Sequence, residues 1–194
     1  MTLVQHTSGA DGWRTPDPIL ERVRSVFGGI IDVDPASSVE ANATVRAQQI
    51  FTERDDGLAQ PWYLDSGVYQ GKASVYCNPP GGKYPKGHAL SSKSKTALFW
   101  DKLMQEAVLG HVSHAIFMCF SVSSLQVLQG RGAKSVTSFP MCIPAKRLAF
   151  IDPTGEDRDG PSHANAIIYV PGHTDRTAEF AQYFWDVGGI MMPY

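Results

Sequence analysis

The sequence predicts an α/β domain built on a mostly parallel sheet, with helices on both faces and an antiparallel element at one edge. Three observations lead there. Short β-branched and aromatic runs at 30–34, 73–77, 114–120 and 164–170 alternate with helically spaced segments at 19–27, 96–108 and 177–185. That alternation places strands side by side under helices. The runs are apolar along most of their length, as strands buried on both faces are. Strand-like segments crowd together toward the end of the chain, which suits an antiparallel edge.

The elements follow in order. The opening stretch to Gly12 is polar and expected to be loose. Asp17-Pro18 leads into Ile19, Leu20, Val23, Val26 and Phe27, which share one helical face, and Gly28-Gly29 closes that helix. Residues 30–34 read as a short buried strand stopped by Pro35. Ser37-Ser38 offers an N-cap for a short helix over 39–47. Residues 49–52 read as the next strand, and Asp55-Asp56-Gly57-Leu58 as a turn. The run 73–77 ends at Asn78-Pro79-Pro80-Gly81. Residues 81–95, rich in Gly, Lys and Ser, form a long flexible loop of the kind that is either functional or disordered.

Thr96 caps a helix carrying Leu98, Phe99, Leu103, Ala107 and Val108. Residues 114–120 read as a strand and 122–129 as a helix. Residues 135–139, 147–151 and 164–170 read as strands, the last ended by Pro171-Gly172. A final helix runs from Thr177 to Trp185. There is no internal repeat. The stretches 81–95 and 152–163 are too short to separate domains, so the 194 residues are expected to form one domain.

Composition narrows the function classes. No apolar run reaches the roughly 18 residues of a membrane span, and the first residues lack the basic and apolar regions of a secretory signal. Cys77, Cys119 and Cys142 each lie in an apolar context, which fits buried thiols in a reducing cytoplasm better than a disulfide framework. The net charge of −2 hides an uneven distribution. Residues 83–151 are basic, with Asp101 and Glu106 their only acids, while the flanking regions are acidic. A basic middle suits a polyanion held nearby, and equally suits a solvated loop.

Chemistry concentrates at two strand ends. Pro79 and Pro80 cannot donate to a ladder, and Pro79 biases Asn78 toward an extended backbone. The Asn78 amide and the Asn78 and Pro79 carbonyls are then displayed at a strand tip, where open α/β sheets bind ligands. An amide oxygen beside a main-chain carbonyl makes a pair of acceptors suited to an exocyclic amino group. A plain Pro-Pro turn explains the same residues. Asp32 and Asp34 end another strand, where carboxylates can accept from a ribose or an ammonium group, and Pro35-Ala36 leaves room for a ligand. A capping turn is the alternative there.

No G-x-G-x-x-G and no G-x-x-x-x-G-K-[ST] occurs, which argues against a dinucleotide fingerprint and a nucleoside triphosphatase. His111-x-x-His114 near Cys119 lacks a second ligand pair, so no metal site is expected. Cys77 with His88 or His163 is a weak nucleophile pair. Trp13, Trp62 and Trp100 are packing residues, any of which could stack on a base.

These residues carry a resemblance. The chain resembles the phage-type, Dam-like DNA adenine methyltransferases, a branch of the S-adenosylmethionine-dependent methyltransferases. The words that match are Asp11-Gly12-Trp13-Arg14-Thr15-Pro16, then Ile31-Asp32-Val33-Asp34-Pro35-Ala36-Ser37-Ser38 and Asn42. Phe51-Thr52, Asp55-Asp56-Gly57-Leu58, Trp62 and Val75-Tyr76-Cys77-Asn78-Pro79-Pro80 follow, then Trp100 and Ile143-Pro144-Ala145-Lys146-Arg147-Leu148-Ala149-Phe150. The resemblance covers residues 11–171, and it lies in the order and spacing of words that are individually weak.

The resemblance implies a Rossmann-like class I methyltransferase, phage-encoded and working in a bacterial host cytoplasm, with S-adenosylmethionine as cofactor. It implies Thr15 and Pro16 near the methionine end of the cofactor, Asp34, Pro35 and Ala36 lining it, and Asp56 toward its nucleoside end. Asn78, Pro79 and Pro80 correspond to the catalytic [Asp/Asn/Ser]-Pro-Pro-aromatic motif. The partner implied is double-stranded DNA with the target base flipped out. Phosphate and base contacts would come from Lys83, Tyr84, Lys86, Lys146 and Arg147. The departure is Gly81, which stands where the family has an aromatic that stacks on the base. That leaves open another acceptor (RNA, a cytosine amino group or a protein amide), or a methyltransferase-like shell that binds without catalysis.

Overall fold

The computed structural model describes residues 13–65, 70–84, 86–91, 93–129, 135–151 and 164–193. The opening stretch to Gly12, His163 and the rest of 152–163 lie outside them. Seven strands form one mixed sheet: β1 (Ile31–Asp34), β2 (Ala47–Ile50), β5 (Ala73–Cys77), β6 (Val112–Cys119), β7 (Met141–Pro144), β8 (Ala166–Pro171) and β9 (Gly188–Met191). β3 (Leu64–Asp65) and β4 (Gln70–Gly71) pair separately as a small antiparallel ribbon. The helices are α1 (Asp17–Phe27), α2 (Val39–Val45), α3 (Lys95–Val108), α4 (Val122–Leu128) and α5 (Thr177–Phe184).

The strand order is β2-β1-β5-β6-β8-β7-β9. The pairs β2–β1, β1–β5 and β5–β6 are parallel, and β6–β8, β8–β7 and β7–β9 are antiparallel. The α/β class with helices on both faces therefore holds. The antiparallel part is larger than the expected edge: β8 is an internal strand, wedged between β6 and β7. The expected strands at 135–139 and 147–151 are not strands. Residues Val136–Ser138 form a 3₁₀ turn, and Ile151 makes only an isolated bridge to Arg14. The short strand β7 lies between them in sequence instead, paired with β8 and with β9 from the end of the chain.

Strand periodicity sorts the core. Val33, Val75, Ala115, Phe117 and Ile168 face the α3 and α4 side, against Phe99, Trp100, Leu103 and Leu125, with Trp62 in the same cluster. Tyr76, Ile116, Met118 and Tyr169 face the other side, against Leu20, Val23 and Phe27 of α1 and Phe180 and Phe184 of α5, and Ile31 at the start of β1 packs into the same cluster. Each fully buried large apolar side chain contributes about 1.5–3 kcal/mol. Among the described residues no helix is long and apolar enough to cross a membrane.

Local chemistry sets the element ends. Gly28 stops α1 in the left-handed region at φ +81°, and Gly29 N–H returns to the Arg24 carbonyl at 2.7 Å, a Schellman closure. Ser38 caps α2 and Ser94, not Thr96, caps α3 through their hydroxyls. The chain runs outward from β1 to β2, then returns to place β5 on the other side of β1. The strand order thus reverses between β1 and β5, and the crevice at their carboxyl ends is where such sheets bind ligands.

Candidate functional site

The two strand ends named from the sequence meet at this crevice. Val33 of β1 is in register with Val75 of β5, so Asp34 and the 77–80 turn leave the sheet side by side. The segment 13–15 crosses the same end. Arg14 forms a two-hydrogen-bond bridge with Ile151, at 2.8 and 2.9 Å. The buried Thr15 hydroxyl meets the Tyr76 phenol at 2.5 Å. The Asn78 side-chain nitrogen donates to the Trp13 carbonyl at 3.2 Å.

That last contact fixes the Asn78 amide. A carbonyl only accepts, so the atom facing Trp13 must be the NH₂ group, and Oδ1 is turned the other way. Among the described residues nothing donates to Oδ1. Pro79 is buried and Asn78 half-buried. The Pro80 carbonyl is held by the Thr96 hydroxyl at 3.5 Å, which ties the turn to the start of α3.

Asp34 lies beneath the crevice at 2 % exposure. Its Oδ1 accepts the Ala36 N–H at 3.2 Å. Burial pushes its carboxyl up to about 7, against the lowering pull of the Ala36 N–H and the Ser37 hydroxyl. Burial likewise holds the Tyr76 phenol and Cys77 thiol well above their ordinary values, and the Asp34 charge adds to both. Cys77 is therefore an inert core thiol rather than a nucleophile.

Asp56 comes to the same turn through its neighbour. Gly57 packs so closely on Pro35 that a Cβ there would stand 1.9 Å from the Pro35 carbonyl oxygen. Its own carbonyl accepts the Trp62 indole N–H at 2.8 Å. Trp62 is anchored in turn by its backbone N–H on Glu106 Oε2 at 3.0 Å. Burial disfavours charge on Glu106, yet Lys102, the Trp62 N–H and His111 together hold its pKa below the ordinary value. Asp56 itself sits at φ +51° with its carboxylate exposed and Oδ1 on the Leu58 N–H.

Asp32 does not join the crevice. Its Oδ2 accepts the Ser74 N–H and hydroxyl, both at 2.8 Å, and stitches β1 to β5. Period-two alternation puts its side chain on the opposite face of β1 from Val33 and on the same face as Asp34. His111 is spent on Glu106, at 2.6 Å, and His114 packs on Phe27. His114 Nε2 is the one buried side-chain N or O among the described residues without a partner.

The basic candidates fall into two separate groups. Described residues of 81–95 are folded rather than free: Lys83 bridges Ser94, and Lys95 N–H returns to the Gly82 carbonyl at 3.1 Å. Beyond that neck Tyr84 stacks on His88 at 4.3 Å and 16°, with Lys95 Nζ 5.6 Å from the Tyr84 ring centre. Lys83 and Lys86 are exposed. Gly81 is exposed as well, and a Cβ there would meet nothing within 4 Å. Lys146 and Arg147 lie elsewhere, lining a cavity of about 420 Å³ with Pro16, Leu148 and Asp186. Pro16 thus belongs to that cavity's wall.

Three contributors escaped the sequence reading. Tyr76 was read only as a core aromatic, yet its hydroxyl is where Thr15 docks. Trp13 acts through its main chain, which leaves no side-chain signal. Asn165, 2 % exposed, donates to Phe120 O at 2.7 Å and accepts Leu148 N–H at 3.0 Å, joining two loops at this end of the sheet. A lone amide in the apolar run 164–170 was its signal. Compared with known proteins, the chain matches no family model, no curated protein and no solved structure.

Proposed function

We propose that this chain is a S-adenosylmethionine-dependent methyltransferase acting on the exocyclic amino group of adenine in DNA. The observation that carries the reading is the Asn78 amide, anchored through its nitrogen on Trp13 and offering its oxygen beside Pro79 at the crevice where the strand order reverses. S-adenosylmethionine, when bound, supplies a methyl group on a positively charged sulfur, which is exchanged for one amino hydrogen of the acceptor.

The residues present suit that group. Asp34 is a buried carboxylate with no basic partner among the described residues, which favours a cationic ligand. Thr15, Asp34, Pro35 and Ala36 would hold it, with Asp56 toward the nucleoside end and Pro16 behind Thr15. Asn78 Oδ1 and the Pro79 carbonyl would accept the two amino hydrogens. An adenine amino nitrogen is weakly nucleophilic because its lone pair is delocalised into the ring. Two acceptors placed on its hydrogens favour pyramidal nitrogen and localise that lone pair, and fixed geometry contributes several kcal/mol more.

The flipped base costs a few kcal/mol to extrude. Lys83, Lys86 and, across the sheet end, Lys146 and Arg147 would offset part of that on phosphates. Tyr84 is the aromatic nearest in sequence to the vacant position at Gly81. A second reading, a shell that binds nucleic acid without transfer, draws on the open space at Gly81 and on the engagement of Tyr84 with His88.

Incubation with isotopically labelled S-adenosylmethionine and unmethylated phage or bacterial DNA separates the two. Label in DNA supports the first. DNA binding indifferent to the cofactor, with no label in DNA, supports the second. Label in RNA or in a protein would keep the reaction and change the acceptor.

A further inference from the structure

The charge environment of Asp34 has a consequence for how the crevice takes its ligand, resting on the reading of that crevice as a S-adenosylmethionine site. Asp34 is 2 % exposed, while its neighbours Ala36 and Ser37 are half-buried, so the carboxyl group sits one layer beneath the surface. From its own turn it faces the Ala36 N–H and the Ser37 hydroxyl. From β5 it faces Tyr76 and Cys77, both uncharged at neutral pH because burial raises their pKa values. Thr15, on the Tyr76 hydroxyl, is also uncharged. From the end of β2 comes only the Phe51 N–H, which takes the Asp34 main-chain oxygen at 3.0 Å. No Lys, Arg or His compensates it among the described residues.

A carboxylate so placed is strongly disfavoured until a cation arrives, and a proton is the cation available to the free protein. Burial raises its pKa to about 7, which is consistent with that placement. We propose that Asp34 exchanges a proton for the cationic part of the ligand. It is the uncharged acid in the free protein below neutral pH. It becomes the carboxylate when an ammonium or sulfonium group docks, and the proton leaves to solvent. Binding is therefore linked to pH through one residue of the site.

The test is calorimetric titration of the full chain at pH 6, 7 and 8, in buffers of different ionisation heat. The probes are S-adenosylmethionine, S-adenosylhomocysteine (ammonium only) and 5′-methylthioadenosine (neither cation). At pH 7 the first ligand is expected to release about half a proton, and its affinity to fall about tenfold from pH 8 to pH 6. Asp34→Asn is compared with the same ligand, so that the ligand's own titration drops out of the ratio. The variant should release no proton, and the ratio of wild-type to variant affinity should fall about tenfold from pH 8 to pH 6. Ser37→Ala, which removes a donor to the carboxylate, should move the profile to higher pH.

If S-adenosylhomocysteine keeps the linkage, the ammonium is the partner; if only S-adenosylmethionine does, the sulfonium is. Linkage with 5′-methylthioadenosine as strong as with the others would overturn the exchange, as would binding with no proton release and identical profiles in wild type and Asp34→Asn. In those cases binding itself still supports the cofactor site. Failure of all three ligands to bind at every pH would overturn both the site and the exchange.

Discussion

The side-chain nitrogen of Asn78 donates to the main-chain oxygen of Trp13 at 3.2 Å, across 65 positions of sequence. This one contact decides which way the amide faces. It ties the strand tip of β5 to the segment that precedes α1, and it leaves the amide oxygen as the group presented at the crevice.

Asn78→Ala removes that oxygen and leaves Asp34 and Thr15 in place. Methyl transfer in a single turnover should fall by at least about a hundredfold, the usual scale for losing one group that stabilises a transition state. Affinity for S-adenosylmethionine by calorimetry should change little. Retained turnover would remove Asn78 from the chemistry.

Asp34→Asn should make the protein more stable while it weakens the cofactor. The folded pKa of Asp34, about 7, lies above its ordinary 3.8. The unfolded chain therefore prefers the ionised form, and stability is lost as pH rises from about 4 to about 7. The amide has no charge to bury, so the variant should gain about 2–4 kcal/mol at pH 8 and almost nothing at pH 4. Denaturant midpoints at the two pH values check this. An equal gain at both would contradict the assigned environment.

His114 acts in the opposite sense. Burial, then the Arg176 charge, depress its folded pKa to about 4 from 6.5. Its contribution to stability is complete above pH 6.5 and is lost as pH falls toward 4. His114→Phe, in a site already walled by Phe27 and Tyr169, should resist acid by about 2 kcal/mol at pH 4 relative to wild type, with no such gain at pH 8. Acid unfolding followed by circular dichroism reads this.

Gly57→Ala places a methyl group 1.9 Å from the Pro35 oxygen, with Phe51 Cβ a further 3.4 Å neighbour. Backbone cannot yield as a flexible side chain does, so a loss of about 1–3 kcal/mol is expected, together with weaker cofactor binding as the 51–60 segment lifts from the Pro35 turn. Unchanged urea unfolding would mean that the close approach is not rigid.

Much of this was legible in the sequence because local rules governed it. The Gly28-Gly29 stop, the Ser38 cap and the strand ends at Asp34 and Cys77 each depend on neighbouring residues. The meeting of Asp34 with Asn78 needed more than two strand ends: it requires β5 to lie beside β1, which the strand order decides. The misreadings fall where distant residues decide. Asp32 and Asp34 look alike in sequence and share a face of β1, yet Ser74 of β5 takes Asp32 while Asp34, at the strand end, is left under the crevice. Residues 147–151 have strand composition, but the space beside β8 is taken by β7, and the segment turns to meet Arg14 instead. The 81–95 stretch looked flexible by composition, and its pairing of Lys83 with Ser94 is invisible without the fold. The Trp13 carbonyl carries no side-chain identity at all.

Whether Asn78 serves methyl transfer to adenine is read from the mass of the nucleosides released from unmethylated DNA after incubation with the protein and methyl-labelled S-adenosylmethionine. The expected result is labelled N6-methyladenine that is absent with Asn78→Ala. No label on any base, from protein that binds the cofactor, would contradict a DNA adenine methyltransferase and turn the crevice toward another acceptor.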